Sequence, residues 1–173
     1  VENKPHLTAS KISHETMTSK EIDHAVRTNL DGHGSIYDLD TRTLEELKPD
    51  LIITQELCDV CAVSYKTVLK AAKMYVADAQ VVSLEPNTIE DIFDNIKFIG
   101  ELCGVSERAE KVVNNLQDRL ENIRQQLKNP QSKIPNPKSV FMLEWLEPPF
   151  SPGHWVPEQV EIAGGIALLG KSG

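Results

Sequence analysis

The residues best equipped for chemistry crowd into one stretch, Glu144-Trp145-Leu146-Glu147-Pro148-Pro149-Phe150-Ser151-Pro152-Gly153-His154-Trp155-Val156-Pro157. Both tryptophans of the chain fall within it. Pro148, Pro149, Pro152 and Pro157 stiffen the backbone, so aromatic side chains here meet a ligand at low entropic cost. Trp145, Phe150 and Trp155 each offer a flat apolar face that hides about 150 to 250 Å² when buried. His154 adds an imidazole able to ligate a metal or the metal centre of a ligand. The chemistry implied is capture of a large, flat, partly apolar molecule. The plainer alternative is that Phe150 and Trp155 plug a core while Trp145, leaving the preceding strand first, stays available.

Signals for catalysis are poor. Glu144 and Glu147 are two carboxylates near a strand end, as a glycosidase uses, but residue spacing does not set their separation. No Gly-x-Ser-x-Gly, phosphate-binding glycine loop or His-Glu-x-x-His occurs. Ser64 and Ser151 have no evident base partner, and His6, His14, His24 and His33 are dispersed among polar residues, as on a surface. No enzymatic activity is expected. Cys58 and Cys61 form a Cys-x-x-Cys, which reads as a redox pair, as half of a zinc site, or as small residues packing a loop. A zinc site needs about four ligands. The third cysteine, Cys103, has no partner in that motif.

The elements that must position these residues read as α/β. Thr18 and Glu21 make a capping box, with Met17 and Ile22 as its hydrophobic staple, for a helix through Ala25, Val26 and Leu30 that Asp31-Gly32 breaks. A loop rich in Gly, His and Ser runs to Tyr37. Asp40 or Thr41 then caps a short helix ended by Pro49. Leu51 to Thr54 and Gln80 to Leu84 read as strands buried on both faces, flanking a helix capped by Ser64: a parallel βαβ unit. Thr88, with Asp91 in the first turn, caps a helix that Gly104 ends.

Ser106 to Leu127 follows almost at once, with Ala109, Val112, Val113, Leu116, Leu120, Ile123 and Leu127 at helical spacing and Ser106 as the expected N-cap. At about 1.5 Å per residue it spans roughly 33 Å. It is either a strut between two lobes or an ordinary long surface helix. Pro130, Pro135 and Pro137 mark a boundary, and Val140 to Leu143 then opens a further buried strand that delivers the aromatic stretch. Pro157 suits the first turn of a helix closed by Gly164-Gly165. The expected organisation is an N-terminal lobe at 1–105, a connecting helix at 106–127, a linker at 128–138 and the start of a second lobe at 139–173.

So few strands leave edges open, which predicts either a segment cut from a longer protein or self-association through those edges. The net charge of −8 argues against a nucleic-acid partner, since phosphate binding needs a basic face. No run of 18 apolar residues occurs. The opening VENKPHLTAS lacks the parts of a signal peptide, so an export signal is either already removed or was never present.

Two blocks carry a resemblance. The first runs Leu47-Lys48-Pro49-Asp50-Leu51-Ile52-Ile53-Thr54-Gln55 with Leu57-Cys58-Asp59-Val60-Cys61-Ala62-Val63-Ser64. The second is Pro148-Pro149-Phe150 with Gly153-His154-Trp155-Val156-Pro157 through Ala163-Gly164-Gly165. Over about Lys11 to Gly165 the chain resembles the cobalamin and iron-siderophore class of substrate-binding proteins of ABC importers, nearest a cobalamin-binding branch. The resemblance implies two Rossmann-like lobes with parallel sheets joined by one long helix, the sheets incomplete in this segment.

It also implies a corrinoid, cobalamin-like, or an iron chelate as the ligand, with no covalently bound cofactor, an ABC transporter permease as partner, and a periplasmic or extracellular membrane-associated location. By position the resemblance points to Gln55, Glu56 and Leu57 in the first lobe and Glu144 and Trp145 in the second. Pro149, Phe150, His154 and Trp155 join them as neighbouring ligand contacts. Glu85 and Glu90 are candidates for docking the permease. Two rival readings stand beside this one: a redox or metal-handling protein using Cys58 and Cys61, and an intracellular corrinoid carrier, hence cytoplasmic.

Overall fold

The computed structural model of the 173-residue chain describes residues 3–13, 15–31, 36–55, 63, 65–128 and 137–170. The chain is mixed α/β and divides into two compact units, Val1–Glu85 and Pro86–Gly173. Every sheet among the described residues has two strands, so the sheets are incomplete, as anticipated.

In the first unit β1 (Thr8–Ser10) pairs antiparallel with β2 (Tyr37–Leu39), Thr8 facing Leu39 and Ser10 facing Tyr37. The sequence predicts a loop as far as Tyr37 and marks no strand over Tyr37–Leu39. A three-residue strand has no room for a period-two signature, and its pairing is made by a distant segment. Between them runs α1 (Ser19–Asp31), entered through the expected capping box: Thr18 N donates to Glu21 Oε2 at 2.7 Å and Glu21 N to Thr18 Oγ1 at 3.4 Å. The backbone N–H and hydroxyl of Thr18 hold the Glu21 carboxyl below its ordinary pKa. Asp40 caps α2 (Thr41–Leu47), accepting from Thr43 N at 3.0 Å.

β3 (Leu51–Thr54) and β4 (Gln80–Ser83) are parallel, Leu51 opposite Gln80, with α3 (Tyr65–Tyr75) as the crossover. Leu44, Ala71, Ala72 and Val76 form the buried centre, covered by Leu7, Leu39, Ile52, Ala79 and Val81. The βαβ unit read from two short apolar runs is therefore present. Its strands are only half-buried, however, and Ile53 is 41% exposed, because helix covers one face alone.

The second unit holds α4 (Ile89–Leu102), α5 (Ser106–Lys128), β5 (Ser139–Val140), β6 (Trp145–Leu146), β7 (Pro149–Phe150), α6 (Val156–Ile162) and β8 (Ile166–Ala167). α5 is a single unbroken helix, as its spacing predicts. Ser106 is its first helical residue rather than its cap; the Val105 carbonyl accepts from Arg108 N and Ala109 N. α4 and α5 meet at a tight corner. Gly104, at φ +67, makes the turn, and a methyl on Gly100 would collide with the Ala109 Cβ. Ile89, Phe93 and Val113 are buried, with Ile96, Leu116, Leu120, Trp155 and Ile162 packed around them.

The expected strand over Val140 to Leu143 shrinks to Ser139–Val140, parallel to β8. Phe141, Met142 and Leu143 are 49%, 42% and 43% exposed, since a two-strand sheet offers no second layer to bury such a run.

Candidate functional site

In parallel α/β structures the loops leaving the carboxyl ends of strands carry ligands. In the first unit that end is Thr54-Gln55. The ladder closes with Leu84 N donating to Thr54 O at 2.9 Å, and the Thr54 hydroxyl reaches the carbonyl of buried Val63 at 3.5 Å. Gln55 sits half-buried directly after β3. Glu56, Leu57, Cys58, Cys61 and Ser64 lie outside the described residues.

The second unit holds the remaining candidates. The aromatic stretch, expected as an open loop, contains a small antiparallel hairpin: β6 pairs with β7, Trp145 opposite Phe150 and Leu146 opposite Pro149. Glu144 N donates to Phe150 O at 3.0 Å and closes the ladder. The turn carries a cis peptide at Glu147-Pro148. Glu144 and Pro149 are exposed, Leu146 is 70% exposed and Phe150 50%. The alternative that Phe150 plugs a core therefore fails. The Trp145 side chain lies outside the described residues.

Trp155 takes the other course. It packs on the Ile89, Phe93 and Val113 cluster and stands as the N-cap position of α6, whose first turn contains buried Pro157. Its side chain is half-buried.

His154 lies between these two roles. Its backbone is left-handed at φ +53, its ring lies 5.9 Å from the Trp155 ring at 36°, and its Nδ1 is 3.2 Å from Asn87 Oδ1. Asn87 is held in turn by the capping box of α4. Asp91 Oδ2 accepts from Asn87 N at 2.9 Å and from Thr88 N at 2.8 Å, while Asp91 N donates to Thr88 Oγ1 at 3.1 Å. The backbone N–H of Asn87, then that of Thr88 and its hydroxyl, hold the Asp91 carboxyl below its ordinary pKa. A second tie runs from α6 to α4: Ile89 N donates to Glu158 Oε2 at 2.9 Å, placing a carboxylate at the positive end of α4.

Two supporting residues, Asn87 and Glu158, escaped the reading of the sequence. Their partners are 67 and 69 residues away, so no local spacing advertises them. The capping box beside Asn87 was the nearest signal. Gln55 belongs to the first unit, whereas Glu144, Trp145, Pro149, Phe150, His154 and Trp155 belong to the second.

Comparison with known proteins agrees with this architecture. A search of curated protein sequences returns no match. Among solved structures the chain is similar to a possible iron-binding, periplasmic solute-binding protein from Staphylococcus epidermidis, with 22% identity and TM-score 0.59, over 75% of this chain and 48% of that one. It is similar to a periplasmic heme binding protein from Pseudomonas aeruginosa, with 21% identity and TM-score 0.58, over 79% and 48%. It is also similar to the periplasmic vitamin B12 binding protein of Vibrio cholerae, with 21% identity and TM-score 0.54, over 75% and 47%. The chain spans about half the length of each. At these identities the likeness is one of fold. The periplasmic binding protein family matches residues 7–171, so nearly the full described chain, βαβ unit, long helix and aromatic hairpin included, belongs to the periplasmic binding protein family.

Proposed function

We propose that this chain is part of a solute-binding protein that captures a corrinoid, or a related iron or haem chelate, and hands it to the permease of an ABC importer at the outer face of a membrane. Membership of the periplasmic binding protein family supports capture and delivery. Similar folds are named for vitamin B12, heme and iron binding, which supports a metal chelate as cargo. The observation that carries the reading is the hairpin, which holds Leu146 and Phe150 exposed on a proline-stiffened frame. Apolar surface kept in water at a fixed position is worth about 25 cal/mol per Å² when a ligand covers it.

In this reading Trp145, Pro149 and Phe150 of the second unit cover a flat face of the ligand and Glu144 meets its amide or carboxylate rim, while Gln55, Glu56 and Leu57 are the ligand-contact candidates of the first unit. His154 is the candidate nearest the metal, and the Trp155 ring lies 5.9 Å from its own. Glu85 and Glu90, both exposed, are the carboxylates offered to the permease.

Titration with cyanocobalamin and with haemin, followed by tryptophan fluorescence, tests the proposal. Saturable quenching by one of them is expected. Phe150→Ala should weaken it roughly tenfold or more, consistent with losing an aromatic contact worth ~1.4 kcal/mol or above. Absence of quenching by both chelates would overturn the reading.

A further inference from the structure

We propose that the groove between α4, α5 and α6 is a binding site for a medium-chain aliphatic carboxylate, whose hydrocarbon lies on the apolar wall and whose anionic end pairs with Arg119. The site goes beyond the proposed capture of a chelate and shares none of its residues.

The groove has a volume of about 380 Å³, within the range of small-molecule sites. Ile92 and Phe93 of α4, Leu116, Leu120 and Ile123 of α5 and Ile162 of α6 line it. Ile123 is 41% exposed and Leu116 and Ile162 are half-buried, so apolar surface held by three helices stands open to water. At about 1.5 Å per residue, Leu116 to Ile123 offers roughly 10 Å of apolar wall, the reach of an extended chain of about eight carbons.

Charge selects the other end of the ligand. Arg27, Arg42 and Arg124 are each paired with a carboxylate three or four residues away. Arg119, on the groove, has no ion pair among the described residues. Its neighbours at that spacing are Asn115, Leu116, Asn122 and Ile123, so nothing on its own helix face neutralises it. No carboxylate lines the groove among the described residues, and Gln159 adds an amide donor. In a chain with 26 Asp and Glu residues against 18 Lys and Arg, an uncompensated guanidinium beside an apolar wall fits an anion brought from outside.

The other flank of α5 has the opposite character. Helical spacing puts Gln117, Asp118, Glu121 and Arg124 across the line through Val113 and Leu120 from Leu116, Arg119 and Ile123. The cavity of about 310 Å³ on that flank carries Glu90, Asp118, Glu121 and Glu158, which repel an anion. Only the Arg119 flank suits a carboxylate with an alkyl chain.

Isothermal titration calorimetry of the full chain with butyrate, octanoate, decanoate and decanol tests this. Decanoate should bind as one molecule per chain, with affinity rising about two- to fourfold per methylene along the series of acids. Arg119→Gln should weaken decanoate at least about tenfold and leave decanol unchanged. Arg124→Gln, the same change on the other flank, should leave decanoate unchanged. Ile123→Glu places a carboxylate in the groove at an exposed position and should abolish decanoate binding, with circular dichroism confirming that the variant is folded. No binding of decanoate at millimolar concentration, an affinity independent of chain length, or equal binding by Arg119→Gln overturns the proposal. A dimer in sedimentation velocity that Ile123→Glu dissolves would give the groove to a second copy and overturn it as well.

Discussion

Val112 and Val113 are adjacent on α5 and equally apolar, yet the structure separates them: Val113 is 1% exposed at the centre of the second unit's core, and Val112 is 44% exposed. Val113→Ala removes two carbons from full burial, about 1.6 kcal/mol at ~0.8 kcal/mol per methylene. A residual cavity on the order of 40 Å³ adds up to ~1 kcal/mol at about 24 cal/mol per Å³. Alanine returns about 0.5 kcal/mol through its better helix propensity. The net expectation is a loss of about 1 to 2 kcal/mol. At Val112 only about half of the transfer term is at stake, ~0.8 kcal/mol, and the same propensity gain leaves about 0.3 kcal/mol.

Urea unfolding followed by tryptophan emission reads the difference, because Trp155 packs on the cluster that contains Val113. With a slope of about 1 to 3 kcal/mol per molar urea, Val113→Ala should lower the midpoint by roughly 0.3 to 2 M, against about 0.1 to 0.3 M for Val112→Ala. Equal shifts from the two substitutions would refute the assignment of the buried seam of α5. Everything placed on that seam, including the seat of Trp155, would have to be redrawn.

Glu158→Ala should destabilise by about 1.5 to 3 kcal/mol, the worth of a charge-assisted hydrogen bond to the Ile89 N–H, and Glu158→Gln by less, in the same urea assay. Gly100→Ala should destabilise by about 1 kcal/mol or more even though alanine favours helix, because the added methyl meets the Ala109 Cβ and forces α4 from α5; a raised midpoint would refute that close approach. The folded pKa of Asp91 lies below its unfolded value, so its contribution is full above about pH 4 and is lost as pH falls through the lowered pKa. Asp91→Asn should therefore be less stable than the native chain at neutral pH, with the gap closing in acid; a gap independent of pH would contradict the assignment.

Much of this fold is legible locally. Thr18 with Glu21 and Thr88 with Asp91 are three residues apart, the distance at which a side chain meets a first-turn N–H, so their capping boxes follow from spacing alone. The same holds for α5, whose apolar residues keep the helical period to its end, and for the βαβ unit, whose two β-branched runs flank a helix-length segment. The concentration of binding vocabulary between Glu144 and Pro157 is likewise a matter of composition.

Tertiary structure decided what depends on contacts between distant segments. Periodicity places Val112 and Val113 on one stripe, but only the helices packed against α5 determine which is sealed. Tyr37–Leu39 is a strand because Thr8–Ser10 lies beside it, and Phe141 to Leu143 stays exposed for want of a second layer. Phe150 and Trp155 look interchangeable in composition, yet a hairpin lifts one into solvent while a helix start seats the other on a core. Spacing and residue type thus determined the helices, their caps and the place of the chemistry, because those rest on interactions within a few residues. The partners of His154 and of α4, Asn87 and Glu158, were settled only when the chain closed on itself, since no short-range rule joins atoms almost seventy residues apart.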